Sequence, residues 1–338
     1  MKRRWLKTAL LVPYWIAIGA LWLWALGVYY YAVNMPSLLK WCVVLLWLLA
    51  AILLVPRARQ LRFGYWLPPL FLLFPLILWL SIHPGRIDEY RPEQSRMPWG
   101  EFKDSRVIMH DLRSCRYSDE SGEVQMQTGW YDLELNLDSL KTVDYFLVYF
   151  AGWRGIAHTF LSFGFADGEQ IALSVEARRG VDVPYELLPG IYRQFELMYV
   201  MGDELDLVGR RLHFDNDPIY MLPIDTPLEG IRGFFVNMVE TANSLRAQPQ
   251  AYNTVTSTCT TQLAVHANAF RQEPINLWDW RLIFPGYSGE LAQEADLLGI
   301  AAPLEEVMEQ FLVNPAEVSG DDRHTFSASL HRVSMHGR

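Results

Sequence analysis

The chain is 338 residues long, with 51% hydrophobic and 20% charged residues and a formal net charge of −9 at pH 7. It is too apolar for a disordered chain and too varied for a fibrous repeat. The first 83 residues hold eight of the 29 Lys and Arg residues and no acid, which leaves 21 basic residues against all 38 acids in the remainder. A large acidic portion argues against nucleic-acid binding, which needs a basic face.

The first 83 residues predict a transmembrane region with three helices. The apolar runs are Thr8–Val33, Leu38–Val55 and Gly64–Ile82, and the third is interrupted by prolines. A run of about 20 apolar residues can cross a hydrocarbon core about 30 Å thick. A cleaved signal peptide is the alternative for the first run, but this run is too long and lacks a clear small-residue cleavage site.

The positive charges predict the orientation of these spans. Lys2, Arg3, Arg4 and Lys7 precede the first run, and Arg57, Arg59 and Arg62 lie between the second and the third. The positive-inside rule places both groups in the cytoplasm. Three spans then carry everything after Ile82 to the far side. We therefore expect a multi-pass membrane protein with its C-terminal domain on the far side, which in a bacterium means an inner-membrane protein with a periplasmic domain.

Residues 84–101 predict a linker, 102–315 a folded domain and 316–338 a polar C-terminal tail. Asp167-Gly168 marks a hairpin turn between two strands, and Thr226-Pro227 marks the start of a helix. The predicted strands are Arg106–Met109, Val124–Leu137, Asp144–Phe150, His158–Phe165, Gln170–Ala177 and Phe195–Met201, and the predicted helices are Pro227–Leu245 and Thr258–Phe270. Strands followed by helices predict an α+β domain with a mostly antiparallel sheet.

Cys259 is the candidate nucleophile of this domain. It lies in T-S-T-C-T-T, directly before a helical pattern, and a helix N-terminus lowers the pKa of a thiol. Thr258 and Thr260 are predicted to contact substrate, since small neighbours leave room for it and backbone N–H groups can stabilise an oxyanion. The alternative is a disulfide between Cys259 and Cys115 in an oxidising compartment.

His158 is the candidate base, because a thiolate nucleophile is usually activated by histidine. It opens a predicted strand after a Gly-rich turn, and the alternative is a buried neutral histidine. With the turn at Asp167-Gly168, residue i faces roughly residue 335 − i, which puts His158 opposite Ala177. A slip of one residue would instead place Glu176 there, where a carboxylate orients an imidazole.

The third catalytic residue is therefore Glu176 or Ser174, both of which lie on the returning strand. The alternative for Glu176 is an outward position, paired with Arg178 or Arg179. Arg178 is also assigned to substrate binding. We predict no cofactor and no metal.

Three separated motifs in this order resemble the Lnb N-terminal periplasmic domain family. They are G-I-A-H-T-F-L-S-F-G-F-A-D-G with I-A-L-S-V-E-A-R-R (155–179), Y-N-T-V-T-S-T-C-T-T (252–261) and D-W-R-L-I-F-P-G-Y-S (279–288). The resemblance covers roughly residues 104–312. One departure is Ser257-Thr258, where the family usually has Asn-Asn before the cysteine, so a side-chain amide that could position substrate is missing.

The resemblance implies a circularly permuted papain-like (NlpC-like) fold, in which the histidine strand precedes the cysteine helix. It implies Cys259 as nucleophile and His158 as base of an acyltransferase that acylates the N-terminal amine of bacterial lipoproteins. The expected partners are a membrane phospholipid as acyl donor, a lipoprotein as acceptor and the lipid bilayer, but no nucleic acid. Two alternatives are a cysteine amidase or peptidase that acts on cell-wall peptide and a non-catalytic binding domain.

Overall fold

The computed structural model describes residues 2–32, 36–58, 64–83, 87, 89–120 and 122–334. The described residues form two compact units. The first takes those of Met1–Arg86 together with Glu186–Phe195, and the second those of Ile87–Tyr185 and Glu196–Arg338. Arg59, Arg62 and His336 lie outside the described residues.

The first unit is made of apolar helices. Its helices are α1 (Lys2–Ala32), α2 (Ser37–Ala58), α3 (Leu67–Leu80) and the short α4 (Leu187–Ile191). In the described part of the chain, one segment is long and apolar enough to cross a membrane by length and composition, Leu11–Tyr31 in α1. The expectation of three spans is therefore not met, because the apolar stretches Ser37–Leu53 and Gly64–Leu80 are shorter.

Aromatic side chains fill the interior of this unit. Trp22 of α1 stacks on Trp47 of α2 with ring centroids 4.4 Å apart, and Trp22 and Leu72 of α3 belong to one buried cluster. Tyr192, just after α4, stacks on Tyr31 at 5.1 Å. The Tyr192 ring occupies the place of a side chain at Gly27, where a Cβ would lie only 2.0 Å from it.

The second unit is built on one large mixed sheet and a separate hairpin. The strands are β1 (Trp99–Lys103), β2 (Arg106–Arg113), β3 (Arg116–Glu120), β4 (Glu123–Gln127), β5 (Trp130–Asn136), β6 (Leu140–Val148), β7 (His158–Phe165), β8 (Gln170–Arg178), β9 (Glu196–Gly202) and β10 (Ile219–Pro223). The large sheet has the order β1-β2-β9-β8-β7-β6-β10, with β5 also pairing with β2, and β3 pairs with β4. All neighbours are antiparallel except β2 and β9. The α+β prediction with a mostly antiparallel sheet is confirmed.

The strands nearest the candidate site agree best with the prediction. β7 has the predicted bounds, and its residues from Thr159 onward are buried. The predicted strand Val124–Leu137 is two strands, because Thr128-Gly129 interrupts it and the two parts pair with different partners, β4 with β3 and β5 with β2. β1, β3 and β10 were not predicted.

Helices cover the sheet and bring the later residues to it. They are α5 (Glu204–Leu207), α6 (Leu228–Ala247), α7 (Cys259–Asn268), α8 (Trp280–Ile283), α9 (Ser288–Glu294), α10 (Leu304–Val307) and α11 (Arg323–Ser334). In α6, Ile231, Phe235 and Met238 are buried at helical spacing, which is the stripe that the sequence predicts. α6 starts one residue later than expected, after Pro227, without a side-chain cap.

Two segments outside the predicted domain contribute to its structure. Within the predicted linker, Glu93 and Gln94 are buried, and β1 begins at Trp99. Within the predicted tail, α11 buries Phe326 and Leu330. The polar composition hides this helix because only one narrow side of it is apolar. The Ser327, Ser329 and His331 side chains lie close to that side, and His331 Nε2 is 2.9 Å from Glu204 Oε1.

Candidate active site

The first turn of α7 positions Cys259. Thr258 is the N-cap: its side chain accepts from the Thr261 N–H at 3.2 Å, and the Thr261 hydroxyl accepts from the Thr258 N–H at 2.7 Å. This reciprocal capping box fixes where the helix begins. Cys259 is thereby held at the first helical position, where its own N–H and that of Thr260 have no acceptor within the helix.

The Cys259 thiol is buried, with 6% of the residue exposed, and it is paired with His158. Burial raises the pKa of the thiol. The charge and hydrogen bond of His158 and hydrogen bonds from the N–H and hydroxyl of Thr159 lower it further than burial raises it, and the pKa is about 6 instead of 9.0. Cys259 is therefore mostly thiolate at neutral pH.

The register of the β7–β8 hairpin determines which groups meet His158. Phe160 pairs with Ser174 and Ser162 with Ala172. Residue i therefore faces residue 334 − i, one residue away from the 335 − i expected from the turn. In this register Glu176 lies across from His158. The loop closes with Gly168 at φ +91°, a conformation that glycine adopts without strain.

Ser174 lies between the His158 ring and the Glu176 carboxylate. His158 Nε2 is 2.7 Å from Ser174 Oγ, and the Ser174 hydroxyl donates to Glu176 Oε1 at 3.1 Å. A hydroxyl has one proton to donate, and an ionised carboxylate only accepts, so the Ser174 oxygen accepts from His158 Nε2–H. This assignment leaves Nδ1 to face the Cys259 thiol.

Cationic and amide groups keep Glu176 ionised. Arg211 Nη2 is 3.8 Å from Glu176 Oε1, and Gln94 Nε2 donates to Oε2 at 3.3 Å. Burial raises the pKa of the carboxyl, but Arg113, Arg211 and His158 lower it, and the result is a pKa of about 2 instead of 4.5. The carboxylate behind Ser174 orients the Ser174 hydroxyl and, through it, the imidazole.

Three tyrosine hydroxyls interact electrostatically with Cys259. Tyr145 Oη is 2.6 Å from Ser288 Oγ, and the hydroxyls of Tyr185 and Tyr252 are 3.1 Å apart. Burial raises the pKa of all three phenols. They are therefore neutral at pH 7. The Ser288 hydroxyl donates to the Pro285 carbonyl, so the Tyr145 hydroxyl donates to Ser288 Oγ. Tyr252 belongs to the Y-N-T-V-T-S-T-C-T-T motif (252–261), whereas no pattern in the sequence singled out Tyr145 or Tyr185.

The predicted substrate residues have different roles in the structure. Thr258 is a buried helix cap. Thr260 Oγ1 lies 3.7 Å from Cys259 Sγ and 3.1 Å from Thr159 Oγ1, and so joins α7 to β7 beside the nucleophile.

Arg178, predicted to bind substrate, has its nitrogens engaged in structural contacts. Nη1 pairs with Glu196 at 3.1 Å, while Nε and Nη2 donate to the carbonyl oxygens of Gln94 and Ser95. Its guanidinium also lies over the Tyr90 ring at 3.5 Å. Arg178 fastens the segment before β1 to β8.

The other cysteine and histidine of interest are structural. Cys115 and Cys259 are both free thiols, not a disulfide. Burial and the nearby Asp206 raise the pKa of Cys115 to about 12. His266, two turns along α7 from Cys259, bonds to Tyr199 and Asn237. Burial lowers its pKa to about 4, and its two hydrogen bonds make it a structural residue of α7.

The arrangement can perform nucleophilic acyl chemistry. It holds a thiolate at a helix N-terminus, an imidazole with a fixed tautomer and a Ser–Glu support behind it. Backbone N–H groups in the first turn of the helix have no acceptor within it and can donate to a developing oxyanion.

Comparison with known proteins finds a similarity over the segment that carries these residues. Residues 127–286 match the model of the Lnb N-terminal periplasmic domain family. The resemblance found in the sequence is thereby confirmed, and the matched segment contains Cys259, His158, Ser174 and Glu176. No curated protein and no solved structure matched the chain.

Proposed function

We propose that the protein is a membrane-anchored thiol acyltransferase that moves an acyl chain from a phospholipid to the N-terminal amine of bacterial lipoproteins. The observation that carries the proposal is the Cys259–His158 pair, with its thiol pKa of about 6, in a domain of a periplasmic family. A buried thiolate aligned with a supported imidazole serves covalent catalysis, and neither an anchor nor a binding domain needs one.

In the first step, Cys259 Sγ attacks the carbonyl carbon of a phospholipid ester. A C–S bond forms, the ester C–O bond breaks, and the leaving alkoxide takes a proton from His158 Nδ1. The products are a lysophospholipid and an acyl-Cys259 thioester. The N–H groups at the N-terminus of α7 stabilise the tetrahedral oxyanion.

In the second step, the α-amine of a lipoprotein attacks the thioester carbonyl. The C–N bond forms, the C–S bond breaks and returns the thiolate, and His158 takes the proton that the amine loses. The Ser174–Glu176 support keeps Nδ1 directed at the reacting atoms in both steps.

The location in the inner membrane belongs to the same proposal. α1 supplies one span, and α2 and α3 complete a multi-pass region, since their apolar stretches approach the lower limit of about 17 residues. One span and three spans both leave the domain on the periplasmic side. An anchored enzyme meets membrane-embedded substrates at high effective concentration. We also propose the permuted papain-like fold, which is supported by a histidine strand preceding a cysteine helix.

Mass spectrometry of lipoprotein N-termini tests the proposal. Cells that contain the protein should yield lipoproteins with an additional N-terminal acyl chain, and cells that contain the Cys259→Ala protein at equal membrane level should not. Purified protein with a phospholipid should accumulate a mass increase of one acyl chain on the Cys259 peptide.

Unchanged lipoproteins together with altered cell-wall peptides would replace acyl transfer with amidase activity. An active Cys259→Ala protein would exclude a thiol mechanism altogether.

A further inference from the structure

A large apolar cavity lies beside the catalytic helix. Its volume is about 440 Å³, within the range of about 300–1,000 Å³ typical of ligand sites. Its walls come from the sheet, α6, α7 and the α8–α9 region, and they are mainly aliphatic and aromatic. Wall residues include Leu161, Ile231, Phe234, Leu263, Leu282 and Leu291.

One end of the cavity adjoins the nucleophile. Thr260, the residue after Cys259, lines it together with Tyr145 and Ser288. Thr260 Oγ1 is 3.7 Å from the Cys259 sulfur, and the Tyr145 hydroxyl interacts electrostatically with the same thiol. This end of the cavity therefore reaches the polar groups that surround the Cys259 thiol.

The other end reaches the surface at the C-terminal end of α7. Phe270 lines it and is 47% exposed, and the charged lining residues Asp225, Glu273 and Asp296 are also exposed. From Thr260 to Phe270 the chain advances ten residues, or about 15 Å if helical throughout. The cavity thus follows α7 from the nucleophile to an open rim.

Small residues on α7 leave this space open. Ala264 and Ala267 both line the cavity one helical turn apart, and Ala264 is buried against Leu282 and Leu291. Apolar walls offer water few partners, so an aliphatic chain is the ligand whose burial they favour.

We propose that this cavity is the acyl-chain subsite, which takes one aliphatic chain of a lipid whose ester carbonyl lies at Cys259. The inference rests on the proposed acyl transfer and adds where the donor chain is held. The chain enters past Phe270 or from the nucleophile end, and its length is limited by the distance along α7.

Photo-crosslinking tests the subsite without any chemistry at the thiol. The full-length Cys259→Ala protein in lipid nanodiscs is irradiated with a diazirine-bearing palmitic acid, and the labelled peptides are mapped by mass spectrometry. Label is expected in α7 and in residues 282–291, and excess palmitate should remove it while butyrate should not.

Filling the cavity provides the matched comparison. In the Cys259→Ala background, Ala264→Leu and, nearer the rim, Ala267→Leu should each reduce labelling about tenfold, since less of the chain can be buried. Ala269→Leu places the same side chain on the exposed end of α7 and should label as the parent does. If Ala264→Leu does not fold, Ala267→Leu decides the result.

Equal labelling of folded cavity-filled and control proteins, or label outside the cavity walls, would overturn the subsite. Failure of the proposed function would give a different result. The Cys259→Ala protein would still be labelled in the cavity, but the protein with Cys259 intact would form no thioester. If thioester forms at the same rate with short and long donor chains and regardless of Ala264→Leu, the function stands and the subsite falls.

Discussion

Replacing His158 with glutamine should move the Cys259 thiol pKa by several units. The thiol has a pKa of about 6 because the charge and hydrogen bonding at His158 and Thr159 outweigh the effect of burial. Glutamine preserves the approximate size and polarity of the side chain but carries no charge. Burial then dominates, and the pKa should rise to at least the ordinary value of about 8.5.

The alkylation rate at a single pH would not show this change clearly. At pH 7 a thiol of pKa about 6 is about 90% thiolate, against about 3% for one of pKa about 8.5. A less basic thiolate is also intrinsically less nucleophilic, with a Brønsted coefficient of about 0.4–0.5. Over roughly 2.5 pKa units this lowers the intrinsic rate about tenfold and cancels most of the gain in thiolate. The midpoint of the pH profile is therefore the quantity to measure.

The assay is iodoacetamide alkylation between pH 4 and pH 10, with the Cys259 peptide quantified by mass spectrometry. The wild-type midpoint should be near 6 and that of His158→Gln at or above about 8.5. Cys115 in the same digest is the internal control and should stay unlabelled while the protein is folded, because it is buried with a raised pKa. A wild-type midpoint near 8.5, or the same midpoint in both proteins, would refute the thiolate–imidazole pair.

Three further predictions follow from the contacts around the site. Ser174→Ala should lower kcat about tenfold with little change in KM, because losing one buried hydrogen bond costs about 1–2 kcal/mol of imidazole alignment; steady-state kinetics with unchanged kcat would contradict the relay. The pKa of Glu176 is lower in the folded protein, about 2, so its ionisation stabilises the fold fully above pH 4.5, and this stabilisation is lost as the pH falls to 2. Glu176→Gln should therefore reduce the free energy of unfolding by about 3 kcal/mol at pH 7 and hardly at all near pH 2. Denaturant unfolding at several pH values measures this, and a pH-independent difference would be inconsistent with it. Arg178→Met should destabilise the fold by about 3–5 kcal/mol because Glu196 is left buried without its cation; a loss of acyl transfer in a fully stable Arg178→Met protein would return Arg178 to the substrate site.

Local patterns in the sequence predicted the parts of the site that depend on neighbouring residues. The turn signal at Asp167-Gly168 and the aromatic residues of His158–Phe165 predicted β7 with its bounds, because aromatic residues next to a hairpin turn favour a strand. The hydroxyl-rich T-S-T-C-T-T stretch gave the start of α7, since threonine is a good helix cap. Cys259 and His158 could therefore be selected before any tertiary contact was known.

The partners of His158 could not be selected in the same way. A slip of one residue in the hairpin register exchanges the residues that face each other, and the turn sequence allowed both Ala177 and Glu176 opposite His158. The loop from Phe165 to Glu169 decides the register through its own hydrogen bonds. Ser174 then meets the ring diagonally, which pairing rules alone do not indicate.

Contacts between distant segments account for the other differences. Arg178 looked available for substrate because its partners, Glu196 and the Gln94 and Ser95 carbonyls, lie far from it in sequence. The sequence of α11 looked like a loose tail because the partner of its His331, the buried Glu204, lies far away in the sequence. The cavity along α7 depends on which side of Ala264 and Ala267 remains unfilled after α6 and α9 have packed.

The separation of His158 and Cys259 by 101 residues has a consequence for the newly made chain. The β7–β8 hairpin brings His158, Ser174 and Glu176 together locally, but the nucleophile joins them only when α7 docks on β7. Before that, Cys259 and Cys115 are two ordinary thiols, both mostly protonated at neutral pH. Docking of α7 turns Cys259 into a thiolate, while packing of the core buries Cys115. Folding thus makes two equivalent cysteines different: one becomes a thiolate beside His158 and the other a buried thiol. In an oxidising compartment, a non-native disulfide between them can form only before that step.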